Sequence, residues 1–118
     1  MNRIFSFAVE GKPPVKRRPR GSQHYTPKAT VEDEDRVRQA FRDRYETDPR
    51  SEEKFAVTLK IFTNRNVDGD NIEKAILDAL IRILWENDRQ VKQMNWEIAP
   101  VGGGAFLGEH VYIRAYEL

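Results

Sequence analysis

Apolar and polar residues alternate through residues 2–10, where Ile4, Ser6 and Ala8 stand against Phe5, Phe7 and Val9. That period of two predicts a strand. Gly11-Lys12-Pro13-Pro14 ends it, because proline cannot donate to an internal ladder. Residues 11–29 read as a proline-punctuated loop with His24 and Tyr25 near its far end. The acidic cluster Glu32-Asp33-Glu34-Asp35 suits the positive N-terminus of a helix. That helix is expected to run to about Tyr45, with Val37, Ala40, Phe41 and Tyr45 as its buried stripe. Asp48-Pro49-Arg50-Ser51 is a break, and Phe55–Phe62 is a strand with Phe55, Val57, Leu59 and Ile61 on one face. From Asn71 to Leu84 the period lengthens to that of a helix. Ile72, Ala75, Ile76, Ala79, Leu80 and Ile83 form its core stripe, and Asn71, Lys74, Asp78 and Arg82 its polar one. Residues 91–99 and 106–118 read as two strands, with Pro100-Val101-Gly102-Gly103-Gly104 expected as a hairpin connection between them. The order strand, helix, strand, helix, strand, strand predicts an α+β fold. Two main helices would pack on a mixed or antiparallel sheet of about four strands.

Composition narrows the class. A chain of 118 residues, 39% hydrophobic and 33% charged, fits a single domain over residues 1–118. No apolar run approaches the ~20 residues of a membrane span, and the N-terminus lacks the long apolar stretch of a secretory signal. The absence of cysteine excludes a disulfide framework, a zinc knuckle and a thiol nucleophile. A cytoplasmic protein without a membrane partner is the expectation. The net charge of +1 hides an asymmetry: residues 11–31 carry six basic side chains and no acidic one. A cationic segment on an otherwise acidic chain points to a polyanion, and Lys12, Lys16, Arg17, Arg18 and Arg20 are the candidate phosphate contacts.

The candidate chemistry lies in Asp68-Gly69-Asp70-Asn71-Ile72-Glu73-Lys74. Residues i and i+2 of an extended segment face the same side, so Asp68 and Asp70 can meet one ion, and hard oxygens suit Mg²⁺ or Mn²⁺. Lys74 follows Asp70 by four residues and projects from the same face of a helix starting there. Asp70 is also expected to cap that helix, with Glu73 in a capping-box position. Capping leaves Asp68 unexplained, because a second negative charge beside the first is unfavourable without a cation. An EF-hand does not fit, since its loop needs an oxygen ligand where Ile72 stands and glycine where Glu73 stands. Asp78 reads as structural, pairing with Lys74 or Arg82. Asp88, just past the predicted helix, would lie far from Asp70 along a 14-residue helix of about 21 Å unless the chain returns or packing brings it in. Asp33 and Asp35 are a decoy on a helix, His24 and His110 read as structural, and Trp85 and Trp96 as core or interface residues.

Taken together, Asp68-x-Asp70-Asn71-Ile72-x-Lys74-Ala75-x-x-Asp78-Ala79-Leu80 followed by Trp85-x-x-Asp88-x-Gln90-Val91 resembles the RusA family of Holliday junction resolvases, often carried by prophages. Lys16-Arg17-Arg18-Pro19-Arg20 and Tyr25-Thr26-Pro27 look like that family's basic N-terminal region. The resemblance implies a RusA-like, homodimeric, Mg²⁺- or Mn²⁺-dependent endodeoxyribonuclease with no small-molecule cofactor. It would resolve four-way junctions by paired symmetric nicks during DNA recombination and repair. By motif position Asp68, Asp70 and Asp88 would be the acidic metal ligands and Lys74 the catalytic lysine. This chain has Asn87-Asp88 where the family often has two aspartates, and Glu97 and Ile98 where many members carry a strand lysine. Three rival readings follow: a metal-dependent nuclease preferring flaps or single strands, a protein that binds branched DNA without cutting it, and a structural protein whose Asp68-Gly69-Asp70-Asn71 only shapes a turn and cap.

Overall fold

The structure is a computed structural model and describes residues 3–16, 28–45 and 52–118. In chain order it contains β1 (Ile4–Glu10), α1 (Lys28–Arg44), β2 (Phe55–Phe62), α2 (Gly69–Ala79), a 3-10 turn at Asp88–Gln90, β3 (Val91–Ala99) and β4 (His110–Glu117). The strands form one mixed sheet in the order β1-β4-β2-β3. β4 runs antiparallel to both β1 and β2, whereas β3 lies parallel to β2. The fold is α+β, as expected.

The alternation expected in β1 and β2 places the core, and β4 continues it. Phe5, Phe7 and Val9 of β1, Phe55, Val57, Leu59 and Ile61 of β2, and Val111, Ile113 and Ala115 of β4 are all buried on one face of the sheet. The two helices cover that face with Val37 and Phe41 from α1 and Ile72, Ala75, Ile76 and Ala79 from α2. Phe41 meets Phe7 edge-on at 5.5 Å and stacks on Tyr45 at 5.0 Å. The Tyr45 hydroxyl accepts from Ser6 N at 2.8 Å, occupying a backbone donor on the outer edge of β1. The opposite face is open, and a shallow cavity of about 360 Å³ there is lined by Thr58, Lys60, Asn95, Tyr112 and Arg114. None of the predicted site residues lines it.

Four details differ from the sequence reading. β3 and β4 are not a hairpin, because β2 lies between them. The connection from Pro100 to Glu109 must therefore cross two strand spacings, about 9.5 Å, at the end of β2. β4 begins at His110 and not at Phe106, whose ring packs edge-on against His110 at 5.1 Å. α1 begins at Lys28, so its first turn carries no acid and the Glu32–Asp35 cluster falls in the second turn. α2 ends at Ala79, short of Leu84. Arg82 takes a left-handed φ of 67°, and Leu80, Ile83, Leu84 and Trp85 are buried in a tight turn that continues the apolar stripe without continuing the helix. Arg38 Nε donates to Ala79 O at 3.1 Å and Trp85 Nε1 to Leu77 O at 3.3 Å, satisfying two of the carbonyls a helix end leaves over.

Candidate active site

β2 delivers the chain into residues 63–68, and α2 starts directly behind them. Asp68, not Asp70, is the cap. Its backbone is extended (φ −94°, ψ 105°), and its Oδ1 accepts from Asp70 N at 3.0 Å and Asn71 N at 3.4 Å. The physical reason is that α2 starts two residues earlier than expected, at Gly69, so the capping position falls on Asp68 and Asp70 lies in the first turn. Both carboxylates are exposed, and both gain from the positive helix end.

Gly69 permits this arrangement. A Cβ there would lie 2.5 Å from the Trp96 ring, so only glycine lets the start of α2 close down on β3. The same indole donates from Nε1 to Asp70 Oδ1 at 3.3 Å. Asp68 and Asp70 thus each commit one oxygen to the protein, and the second oxygen of each has no partner among the described residues. Two exposed hard oxygens two residues apart match the donor chemistry of a small divalent cation that keeps several of its waters.

Lys74 is exposed one turn further along α2. Its charge registers on Glu73. Burial first, and then the Asp70 charge, push the Glu73 carboxyl above its ordinary range, while Lys74 pulls it part of the way back. Asp78 pairs with neither Lys74 nor Arg82. Its Oδ2 is 2.8 Å from Lys16 Nζ, which also lies 3.7 Å from Glu34. The hydrogen bond to Asp78 is the largest influence on Lys16 and, against the opposing effect of burial, raises its pKa. Sequence spacing could not reveal this pair, nor the contact between Trp96 and Asp70, because the partners are 62 and 26 residues apart.

Asp88 is exposed at the other end of β3. Trp96 marks the position of Asp70, and the strand from Val91 to Trp96 alone spans roughly 17 Å. Among the described residues no three His, Asp or Glu side chains lie together as a metal-binding group. One copy of the chain brings Asp68, Asp70 and Lys74 onto one helix start and leaves Asp88 apart. Asn87 caps the 3-10 turn that carries Asp88: its side chain accepts from Arg89 N at 2.8 Å, while Gln90 Oε1 accepts from Asn87 N at 3.1 Å. Asparagine caps as well as aspartate, so Asn87 performs this local task without a second negative charge. The spacing Asn87-x-x-Gln90 was the available signal for it. Glu97 is on the open face, 3.5 Å from Lys60, and Ile98 is half exposed beside Ile61.

Of the basic candidates, Lys12 is exposed and Lys16 is paired as described, while Arg17, Arg18 and Arg20 lie outside the described residues, as do His24 and Tyr25. His110 is structural, as expected. It is buried, its ring stacks on Phe62 at 4.4 Å, and its Nδ1 is 2.9 Å from Gly108 O. Trp85 is core, and Trp96 is 39% exposed.

No helix of the described chain is long and apolar enough to cross a membrane. A search of curated proteins returned no match. The family model described as endodeoxyribonuclease RusA, in contrast, matches residues 8–114 and so takes in β2, α2, the Asp88 turn, β3 and nearly all of the sheet. With that much of its length matched, and with the paired aspartates and the lysine on the helix start that the match spans, the chain belongs to the RusA family of endodeoxyribonucleases.

Proposed function

We propose that the protein resolves Holliday junctions as a two-fold homodimer, hydrolysing one phosphodiester in each of two symmetry-related strands with Mg²⁺ or Mn²⁺. The observation that carries the reading is the Asp68–Asp70 pair at the start of α2 with exposed Lys74 one turn on, in a chain of a DNA-cleaving family. Asp68 and Asp70 would hold a divalent ion through the oxygens that the protein leaves without a partner. Such an ion, when bound, lowers the pKa of a coordinated water and neutralises charge on the scissile phosphate. The cap hydrogen bonds hold Asp68, and the indole N–H holds Asp70, so both carboxylates are oriented before substrate arrives. Lys74 meets the charge that develops on the phosphate as the bond to the leaving oxygen lengthens. Hydrolysis leaves 5′-phosphate and 3′-hydroxyl ends.

Two symmetric nicks need two sites, and a two-fold pair of chains provides them. The same pairing gives Asp88 a role. Separated from Asp68 and Asp70 by most of β3 within one chain, it serves as the third carboxylate in the partner's site. Lys12, Arg17, Arg18 and Arg20 contact phosphates of the junction arms, a sequence-independent and salt-sensitive contribution.

The test is nicking of an end-labelled synthetic four-way junction with Mg²⁺ or Mn²⁺, beside linear duplex, flap and single strand. Paired symmetric cuts on the junction alone, lost in Asp70→Asn while junction binding persists, are the expected result. Cutting of flaps or single strands in preference would reassign the substrate. Binding without cleavage in either metal would sink the nuclease mechanism for this chain.

A further inference from the structure

Asn71, Lys74 and Asp78 follow one another along one stripe of α2. In an isolated helix Lys74 and Asp78, four apart, would form the local ion pair. In the fold a third residue intervenes. Lys16 N donates to Asn71 O at 3.3 Å, and Lys16 Nζ reaches Asp78 Oδ2 at 2.8 Å, so residue 16 lies along the stripe that carries Lys74. No carboxylate is ion-paired with Lys74 among the described residues.

The segment leading to Lys16 is held in place independently. Arg36 Nη2 donates to Glu10 O and to Lys12 O, both at 2.8 Å, and Asp33 Oδ2 accepts from Val15 N at 3.1 Å. Pro13 and Pro14 are buried. The acidic cluster of α1 therefore works as an anchor for residues 11–16, and Glu34, itself bound to Arg38 at 3.1 Å, completes the cradle of the Lys16 ammonium. With its backbone already placed, Lys16 orders only its side chain to reach Asp78, whereas Lys74 would have to fold back along its own helix in the less favourable lysine-before-acid order.

We propose that Lys16 is a positioning residue: by occupying Asp78 it keeps that carboxylate off Lys74 and leaves the Lys74 ammonium for the scissile phosphate. The inference rests on the role given to Lys74 above. It separates Lys16 from the phosphate-contacting residues of the basic segment.

The test compares the full chain with Lys16→Met, Lys16→Arg and the double variant Lys16→Met/Asp78→Asn. The Lys16 side chain is 37% exposed, so these substitutions leave the core intact. Two quantities are read at low salt. One is the rate at which N-hydroxysuccinimide acetate acylates Lys74, followed by mass spectrometry. The other is single-turnover nicking of a four-way junction at saturating protein, with Kd measured across a salt series. Lys16→Met should slow both Lys74 acylation and nicking by roughly two- to fivefold, the factor an exposed ion pair commands at low salt. The salt dependence of Kd should not change. Removing the Asp78 charge in the same chain should restore both rates, and Lys16→Arg should resemble the wild type. Unchanged Lys74 acylation in Lys16→Met overturns the proposal, as does slowed acylation with unchanged nicking. A salt slope reduced by about one, with no recovery in the double variant, makes Lys16 a phosphate contact instead. Absence of nicking by the wild type refutes the nuclease reading, and the acylation rates then decide the Lys16–Asp78 competition by themselves.

Discussion

At the residue scale, Asp68 does two things that one substitution can separate. Its Oδ1 caps α2, and its carboxylate is proposed to hold the ion. Asparagine is as good a cap as aspartate, whereas alanine is a poor one and costs about 1 kcal/mol. Asp68→Ala should therefore lower the thermal midpoint by roughly 3–6 °C for a chain of this size. Asp68→Asn should leave the midpoint near wild type, and both variants should lose nicking. Thermal unfolding followed by circular dichroism, beside the junction assay, checks this; an active Asp68→Asn would remove Asp68 from the ligand set. The pair Asp68 and Asp70, and Lys74 after them, were legible because their relation is local: two residues, then four. Which aspartate caps was not, because it depends on where the backbone turns helical, and Gly69 decides that by letting α2 approach Trp96 from across the fold. The indole that orients Asp70 gives no sign of it in its own sequence neighbourhood.

At the scale of elements, the alternation in β1 and β2 separated the two faces of the sheet, and Phe5, Phe7 and Val9 with Phe55, Val57, Leu59 and Ile61 are the buried set. Strand order was less legible, because a glycine-rich connection looks alike whether it turns a hairpin or crosses an intervening strand. Its length was the usable clue: hairpin loops take about 2–5 residues, and residues 100–109 are twice that. The composition of β3 was no clue, since five of its nine residues are apolar although the strand lies at an edge and is mostly exposed. Glu109 closes this longer crossing. It accepts from Thr63 Oγ1 at 2.8 Å and pairs with Arg65 at 2.9 Å, tying the connection to the segment that leads into Asp68. The Thr63 hydroxyl first, and Arg65 with it, hold the Glu109 carboxyl below its ordinary 4.5 against the opposing effect of burial, which ranks second to Thr63. A carboxylate with a depressed folded-state pKa contributes stability that is present above 4.5 and is lost as pH falls through the folded value. Glu109→Gln, which keeps an acceptor but has no charge, should lose less stability than wild type between pH 7 and acid. Urea unfolding at a series of pH values measures this, and parallel pH curves for the two proteins would show that Glu109 carries no such linkage.

At the scale of the whole molecule, the helices cover one face of the sheet and β3 is left as a long outer strand with Trp96 and Ile98 exposed. The family resemblance places Asp68, Asp70 and Asp88 in one motif, yet the fold puts Asp88 at one end of that strand and Asp70 against Trp96, with Asp68 two residues before it. A parallel β3 following β2 through α2 has to begin where β2 began, so the carboxylate before β3 and the pair after β2 fall at opposite ends. On the proposed reading, the third carboxylate would therefore come from a two-fold partner. The idea predicts complementation between dead proteins. Asp70→Asn and Asp88→Asn should each be inactive alone. In a mixed dimer both substitutions fall in one site, and the other site contains only wild-type residues. Mixing the two variants under conditions of subunit exchange should therefore restore nicking, with one strand cut per junction and not two. Sites built from a single chain would leave the mixture as inactive as its parts, because each site would then carry one substitution.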